Sequence, residues 1–129
     1  MSLTKNTIGI IGQGFVGSAI EATLKNYYDV HTFDIDKSKC NDSHDNVCQK
    51  SNIIFFCLPT PMRRDLSCDT RILIQAVEKA YKSINTQSKS PKHADFLDHQ
   101  KANKTFVIKS TVPPGTTEYL AKRFKKVNI

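Results

Sequence analysis

The chain has 129 residues, enough for one domain with its own core and too few for two ordinary domains. Lysine and arginine total 19 against 12 aspartate and glutamate, a basic balance that favours acidic partners without identifying one. No run approaches the roughly 20 apolar residues of a membrane span, and the N-terminus lacks the apolar core of a secretory signal. We therefore expect a cytoplasmic protein that does not contact a membrane.

The first predicted elements are a strand, a glycine-rich turn and a helix. Residues 8–11 (IGII) form a short, mostly β-branched run, typical of a strand buried on both faces of a parallel sheet. After the turn, residues with apolar character recur at three- and four-residue steps, which predicts a helix with one apolar stripe. The members of that stripe are Val16, Ala19, Ile20, Thr23, Leu24 and Tyr27.

A second strand is predicted in DVHTFDI, residues 29–35, and the most hydrophobic strand of the chain in NIIFFCLP, residues 52–59. The polar stretch 36–51 between them has room for at most one helical turn. A long helix is then expected from Asp69 to Ile84, with the Asp69 side chain capping its first turn.

Residues 85–104 are polar and contain Pro91, which predicts a surface excursion. A further strand (TFVIKST), a turn, a helix (TTEYLAKRFKK) and the first residues of another strand (VNI) follow. Strands that alternate with helices predict an α/β fold, a doubly wound, Rossmann-like parallel sheet in a single domain spanning residues 1–129. Because the last strand stops after three residues, the domain is expected to be truncated.

The cysteines and the basic cluster indicate ordinary structural roles. The four cysteines, at 40, 48, 57 and 68, form no CxxC motif, so we expect free thiols and no metal site. Cys57 lies within an apolar run, where a thiol usually acts as a small hydrophobic side chain. KRFKK, residues 122–126, falls at a predicted helix end, where positive charge suits the helix dipole, so we expect no nucleic-acid partner.

The turn after the first strand has the pattern of a dinucleotide fingerprint. In GQGFVG, Gly12 permits the tight turn, Gly14 allows the backbone to approach a pyrophosphate, and Gly17 allows the helix to lie close to the strand. Asp34, twenty-two residues after Gly12, ends the second predicted strand, where a carboxylate can accept hydrogen bonds from the adenosine ribose. The combination predicts a nucleotide site that prefers NAD to NADP.

Three further stretches give the chain a family resemblance. Together with GQGFVG, the segments DIDKSK (34–39), FFCLPTP (55–61) and VIKSTVPPGTT (107–117) resemble the N-terminal domain of the UDP-glucose/GDP-mannose dehydrogenase family. That family oxidises the C6 hydroxyl of a nucleotide sugar in two NAD-dependent steps, through a catalytic cysteine. The resemblance therefore implies an NAD-binding domain of a nucleotide-sugar 6-dehydrogenase, with a sugar substrate bound only together with a second domain.

The resemblance also implies roles for individual residues. Asp34 and Lys39 would bind the adenosine ribose, whereas Thr60 and Thr111 would line the nicotinamide side. Thr111 further matches a threonine that helps to position the reacting water. The residues implied at the pyrophosphate are Gly12, Gly14, Phe15, Val16 and Gly17.

The departures from the family pattern leave alternatives open. The family's glutamate, lysine, asparagine and cysteine of the catalytic site come later in the chain than Ile129, so the chain alone is expected to be inactive. The segment between Asp36 and Asn52 is shorter than usual, so one strand and one helix are expected to be missing. The alternatives are the nucleotide domain of a β-hydroxyacid dehydrogenase, against which KSTVPPGT stands, and a stand-alone, non-enzymatic NAD-binding module.

Overall fold

The computed structural model describes residues 6–86 and 103–129. Within these two ranges the strands are Thr7–Ile11 (β1), Asp29–Phe33 (β2), Ile53–Phe56 (β3) and Thr105–Ile108 (β4). The helices described there are Phe15–Leu24 (α1), His44–Lys50 (α2), Arg71–Asn85 (α3) and Thr116–Arg123 (α4), and a 3-10 turn spans Lys37–Lys39. This alternation confirms the predicted α/β fold.

The strands form one parallel sheet in the order β2-β1-β3-β4. Helices lie on both faces of it. A Cβ added to Gly9 of β1 would lie 2.6 Å from Ser51 Oγ, directly after α2, whereas a Cβ on Gly17 of α1 would contact Ile10 from the other side. The sheet is therefore doubly wound, as predicted. The VNI segment also extends it, because Asn128 bridges to Thr105 in the parallel sense.

The core lies between the sheet and helices α2, α3 and α4. Phe56 and Phe106 meet edge to face on neighbouring strands, with ring centroids 5.1 Å apart, and Tyr81 of α3 contacts Phe124 after α4 at 4.9 Å. Burial of these apolar side chains is the main favourable contribution to folding. The fully buried members of this core cluster include Val47, Cys48, Ile54, Leu73, Val77, Ala80 and Leu120.

Two sequence predictions about helices are corrected. The stripe predicted for α1 is only partly covered: Ile20 and Leu24 are half-buried, Val16 is 48% exposed, and Gly17 alone of the helix residues is buried. The reason is that α1 contacts the sheet through the glycine, which brings the helix backbone close to β1. Tyr27, which is 71% exposed, lies beyond the helix, because α1 ends at Leu24. The stretch 36–51 also holds more helix than predicted, since Ser43 Oγ accepts the Asn46 N–H and so caps the seven-residue α2.

Two further boundaries differ in detail. Thr70 occupies the N-cap of α3, while Asp69 lies one residue earlier and accepts the Arg71 N–H at 3.1 Å and the Arg71 guanidinium. Most of the predicted excursion, residues 87–102, lies outside the described residues. Of its ends, Asn85 belongs to α3, and Lys104 is half-buried with Nζ donating to the carbonyls of Gln49 and Ser51.

The segment after β2 is short, as the sequence indicated. Within residues 6–86 and 103–129 no strand pairs with the outer edge of β2. Asn41 and Asp42 lie against that edge instead, both donating their N–H groups to the Thr32 carbonyl. The Asp42 carboxylate connects the edge to α2, contacting His31 Nδ1 at 2.8 Å and accepting from Asn46 Nδ2 at 2.8 Å.

Because of Asp42, we expect the free energy of unfolding to decrease at acid pH. The Asn46 amide lowers the pKa of Asp42 to about 2, with smaller contributions from the Ser43 N–H, His31 and Lys50. Since the pKa is depressed on folding, the stabilisation is present above the unfolded pKa of about 3.9 and is lost as pH falls towards 2. Urea unfolding at pH 7, 4 and 2.5 should show a smaller decrease in stability for Asp42→Asn than for the wild type. Equal decreases would contradict this role.

Candidate dinucleotide-binding site

The turn between β1 and α1 is built on close backbone contacts. Gly12 has φ +101°, a region that side chains rarely adopt, and its N–H donates to the Phe33 carbonyl at 2.9 Å. A Cβ on Gly12 would overlap the Cys57 carbonyl, and one on Gly17 would overlap the Gly12 carbonyl. Only glycines allow the turn to lie this close to both β3 and α1.

The start of α1 leaves room and charge for an anion. Gly14 is the N-cap and offers no side-chain cap, and the first turn of the helix has no acidic residue. A Cβ built on Gly14 would have no atom within 4 Å. The first N–H groups of a helix lack partners in the helix and carry the positive end of its dipole. This arrangement fits a phosphate group, which binds at helix N-termini for these reasons.

Asp34 follows β2 directly and is held against the same turn. Its Oδ2 accepts the Gln13 N–H at 2.7 Å, and its Oδ1 accepts the Asp36 N–H at 2.8 Å. A carboxylate has about four lone-pair sites, so both oxygens can still accept bonds from a ligand. The carboxylate and the open helix N-terminus therefore border one space. In a dinucleotide site, the helix N-terminus binds the pyrophosphate and the carboxylate binds the ribose.

That space is a cavity of about 660 Å³ at the carboxyl ends of β1, β2 and β3, within the usual range for ligand sites. Six of the predicted residues line it: Gly12, Gly14, Phe15, Val16, Asp34 and Lys39. Gly17 lies behind them, buried against the Gly12 carbonyl. Sequence reasoning missed the remaining lining residues, which include Ile35, His44, Leu58, Pro59, Ile72, Ala76 and Lys79.

Most of the cavity wall is apolar, and part of it is exposed to solvent. Phe15 is 99% exposed and Ile35 is 95% exposed, although both border the cavity. Large apolar side chains left in water beside a cleft are typical of a ligand surface. On the inner side, Lys79 Nζ lies 5.6 Å from the centre of the Phe33 ring, and His44 meets that ring edge to face. Burial lowers the pKa of His44, which favours the neutral ring.

The two predicted nicotinamide threonines lie together but do not line this cavity. Thr60 Oγ1 donates to the Thr111 carbonyl at 2.6 Å, which joins the segments that follow β3 and β4. Ser110 Oγ reinforces the contact, accepting the Leu58 N–H at 3.0 Å and donating to the Leu58 carbonyl at 2.7 Å. Thr60 directly follows Pro59 of the cavity wall, and Thr111 lies beside Thr60 through this hydrogen bond.

The cysteines are unpaired, as the sequence predicted. Burial raises the pKa of Cys48 to about 12 and that of Cys57 to about 11. In the two described ranges, no group of three or more His, Cys, Asp or Glu side chains could hold a metal ion. None of the helices within residues 6–86 and 103–129 could span a membrane.

The basic cluster near the end of the chain is partly paired with acidic residues. Lys122 lies 2.9 Å from Glu118 on the same helix, and Arg123 lies 3.5 Å from Glu78 of α3. Both basic residues belong to the last turn of α4, where their charge suits the helix dipole.

Comparison with known proteins identifies the family. Residues 40–128 match the model of the UDP-glucose/GDP-mannose dehydrogenase family, NAD binding domain. This span covers more than half of the chain and includes both the LPTP and the KSTVPPGT segments. It begins after the glycine turn and Asp34, so the geometry of that turn is an independent observation.

Two solved enzymes share the fold over nearly the whole chain. A UDP-glucose dehydrogenase from the archaeon Pyrobaculum islandicum is 20% identical over 95% of the chain, with a TM-score of 0.66. A GDP-mannose dehydrogenase from Pseudomonas aeruginosa is 18% identical over 92% of it, with a TM-score of 0.62. The chain covers 32% of the length of each enzyme.

Among curated proteins, an uncharacterized protein of Methanocaldococcus jannaschii is 28% identical over 151 residues. That match covers 95% of this chain and 15% of the relative. The family match supports the first of the two enzyme groups that the sequence pattern had left open. The chain belongs to the UDP-glucose/GDP-mannose dehydrogenase family and carries its NAD-binding domain.

Proposed function

We propose that residues 1–129 act as the cofactor half of a nucleotide-sugar 6-dehydrogenase, holding NAD while a sugar CH–OH group is oxidised. The single observation that carries the cofactor site is the shared cavity, where the uncapped N-terminus of α1 and the Asp34 carboxylate face the same space. When bound, NAD accepts a hydride from the substrate. The residues of this chain bind and orient the cofactor.

The binding roles follow from the chemistry of each wall. The amides at Gly14, Phe15 and Val16 would hold the pyrophosphate, because they form the N-terminus of α1 and the space beside Gly14 is open. Asp34 would accept hydrogen bonds from the ribose hydroxyls, and Lys39 would border the same ribose from the cavity rim. Gly12 and Gly17 would act through the backbone, by shaping the turn.

Thr60 and Thr111 are proposed for the nicotinamide side. Both follow parallel strands at their carboxyl ends, the edge at which open α/β sheets bind ligands. The 2.6 Å hydrogen bond from Thr60 to the Thr111 carbonyl supports a joint role, since one segment would hold the other in place. Thr111 is exposed, which suits its proposed function in positioning the reacting water.

We further propose that the chain alone binds NAD without oxidising a sugar. Two observations support this. The chain corresponds to 32% of the solved dehydrogenases, so the sugar pocket would come from residues outside it. Two of its cysteines, Cys48 in the core and the half-buried Cys57, also make poor nucleophiles, because burial raises the pKa of both thiols and so disfavours the reactive thiolate.

The glycine turn yields a test that separates binding from folding. Gly14→Ala adds a methyl group into open space at an ordinary φ, so the free energy of unfolding should change by less than about 1 kcal/mol. The same methyl should obstruct the pyrophosphate and weaken NADH binding about tenfold or more in a fluorescence titration. Gly17→Ala is the matched control, because its methyl overlaps the Gly12 carbonyl and should destabilise the fold. Unchanged NADH affinity in Gly14→Ala would exclude the proposed phosphate site.

The carboxylate yields a test of cofactor choice. Wild-type protein should bind NADH more tightly than NADPH, because Asp34 accepts from the ribose and repels a 2′-phosphate. Asp34→Asn keeps an oxygen for the Gln13 N–H and removes the charge. The ratio of the two affinities, measured by calorimetry, should fall about tenfold, as expected for losing a hydrogen bond to a charged group. Equal affinities in the wild type would remove the ribose role of Asp34.

Activity measurements test the proposal that the chain is a half-enzyme. Purified protein mixed with NAD and UDP-glucose should produce no NADH, as followed by absorbance at 340 nm. The same sample should bind NADH in the titration, which serves as the control for folding. Measurable turnover would show that the chain carries a complete active site.

A further inference from the structure

The outer edge of β2 is completed by a short return segment. Along this edge, the outward-facing backbone groups belong to Val30, Thr32 and Asp34. The Asn41 side-chain amide mimics a neighbouring strand, with Nδ2 donating to the Val30 carbonyl at 3.0 Å and Oδ1 accepting the Thr32 N–H at 2.7 Å. The Asn41 N–H also donates to Thr32 Oγ1 at 3.1 Å. Buried backbone groups need such partners, so this segment replaces the strand that the short connection lacks.

The next position on the same edge belongs to Asp34, and there the partner is the thiol of Cys40. The Asp34 N–H donates to Cys40 Sγ at 3.0 Å, and the thiol donates to the Asp34 carbonyl at 3.0 Å. Both backbone groups of Asp34 are thus held by one side chain. The half-buried thiol can serve both because sulfur is a weak acceptor and S–H is a weak donor.

We infer that Cys40, supported by Asn41, is a positioning residue that sets the direction of the Asp34 carboxylate and thereby the preference for a free ribose 2′-hydroxyl. The inference rests on the proposed NAD-binding function. The backbone of Asp34 is fixed on its outer side by Cys40, while its carboxylate is fixed on its inner side by the Gln13 N–H at 2.7 Å. Releasing the outer contact lets the backbone after β2 move, and the carboxylate moves with it.

The test compares three variants of the full chain by calorimetric titration with NADH and with NADPH. Cys40→Val preserves the size and the extended backbone of residue 40 while removing both hydrogen bonds to Asp34 and the weaker 3.6 Å contact of the thiol with the Asp36 carbonyl. Its NADH affinity should fall about three- to tenfold, with NADPH affinity unchanged or raised. Cys40→Ser restores a donor and an acceptor, so its NADH to NADPH ratio should stay within about twofold of wild type. Ser38→Ala, in the adjoining turn, removes a hydroxyl that donates to Asp36 Oδ1 at 2.7 Å and should match the wild type.

The ratio separates positioning from a general structural role. A Cys40→Val protein that loses affinity for both cofactors equally, or that keeps the wild-type ratio, would overturn the inference. So would a Cys40→Ser protein whose ratio falls as far as that of Cys40→Val. Thermal unfolding of each variant shows whether the fold is retained. A wild-type protein that binds neither cofactor would instead contradict the proposed function, and this inference with it.

Discussion

The site depends on one steric constraint, the contact between the Gly17 Cα and the carbonyl of Gly12. Because no side chain separates them, α1 begins directly above the end of β1, and its first amides point towards the carboxyl edge of the sheet. The Gly12 backbone in turn lies against the Cys57 carbonyl at the end of β3. The position of the helix N-terminus, and with it the partial positive charge at the cavity, follows from these two contacts.

The second constraint acts from the other side of the cavity. Asp34 reaches the turn only because β2 lies beside β1 in register, with Ile11 opposite Phe33. The Gln13 N–H then joins the carboxylate to the turn, so the predicted phosphate and ribose walls form one unit. On the outer side of β2, Asn41 and Cys40 bond the backbone groups of the edge that a further strand would otherwise cover.

Much of this arrangement was predictable, for physical reasons. A buried strand, a glycine turn and a helix have local signatures, and the distance from Gly12 to Asp34 along the chain is set by one helix and one strand. The wall formed by Ile72 and Ala76 was not predictable, because it depends on how α3 docks on the sheet. The exposure of Val16 and Tyr27 was also missed, since helical periodicity identifies an apolar stripe but not what covers it. The contact of Cys40 with Asp34 was not predictable from the sequence. A thiol is a weak donor and a weak acceptor, so a cysteine in a polar loop does not indicate a hydrogen-bonding role.

The central claim is that the amides at the start of α1 bind a diphosphate, and NMR spectroscopy tests it most directly. In a 15N-labelled protein titrated with ADP, we expect the largest changes of amide chemical shift at Gly14, Phe15 and Val16, with smaller changes near Asp34. Unchanged amide signals at these three residues would contradict a diphosphate site at the start of α1, whether the signals of residues 122–126 change instead or no signal changes.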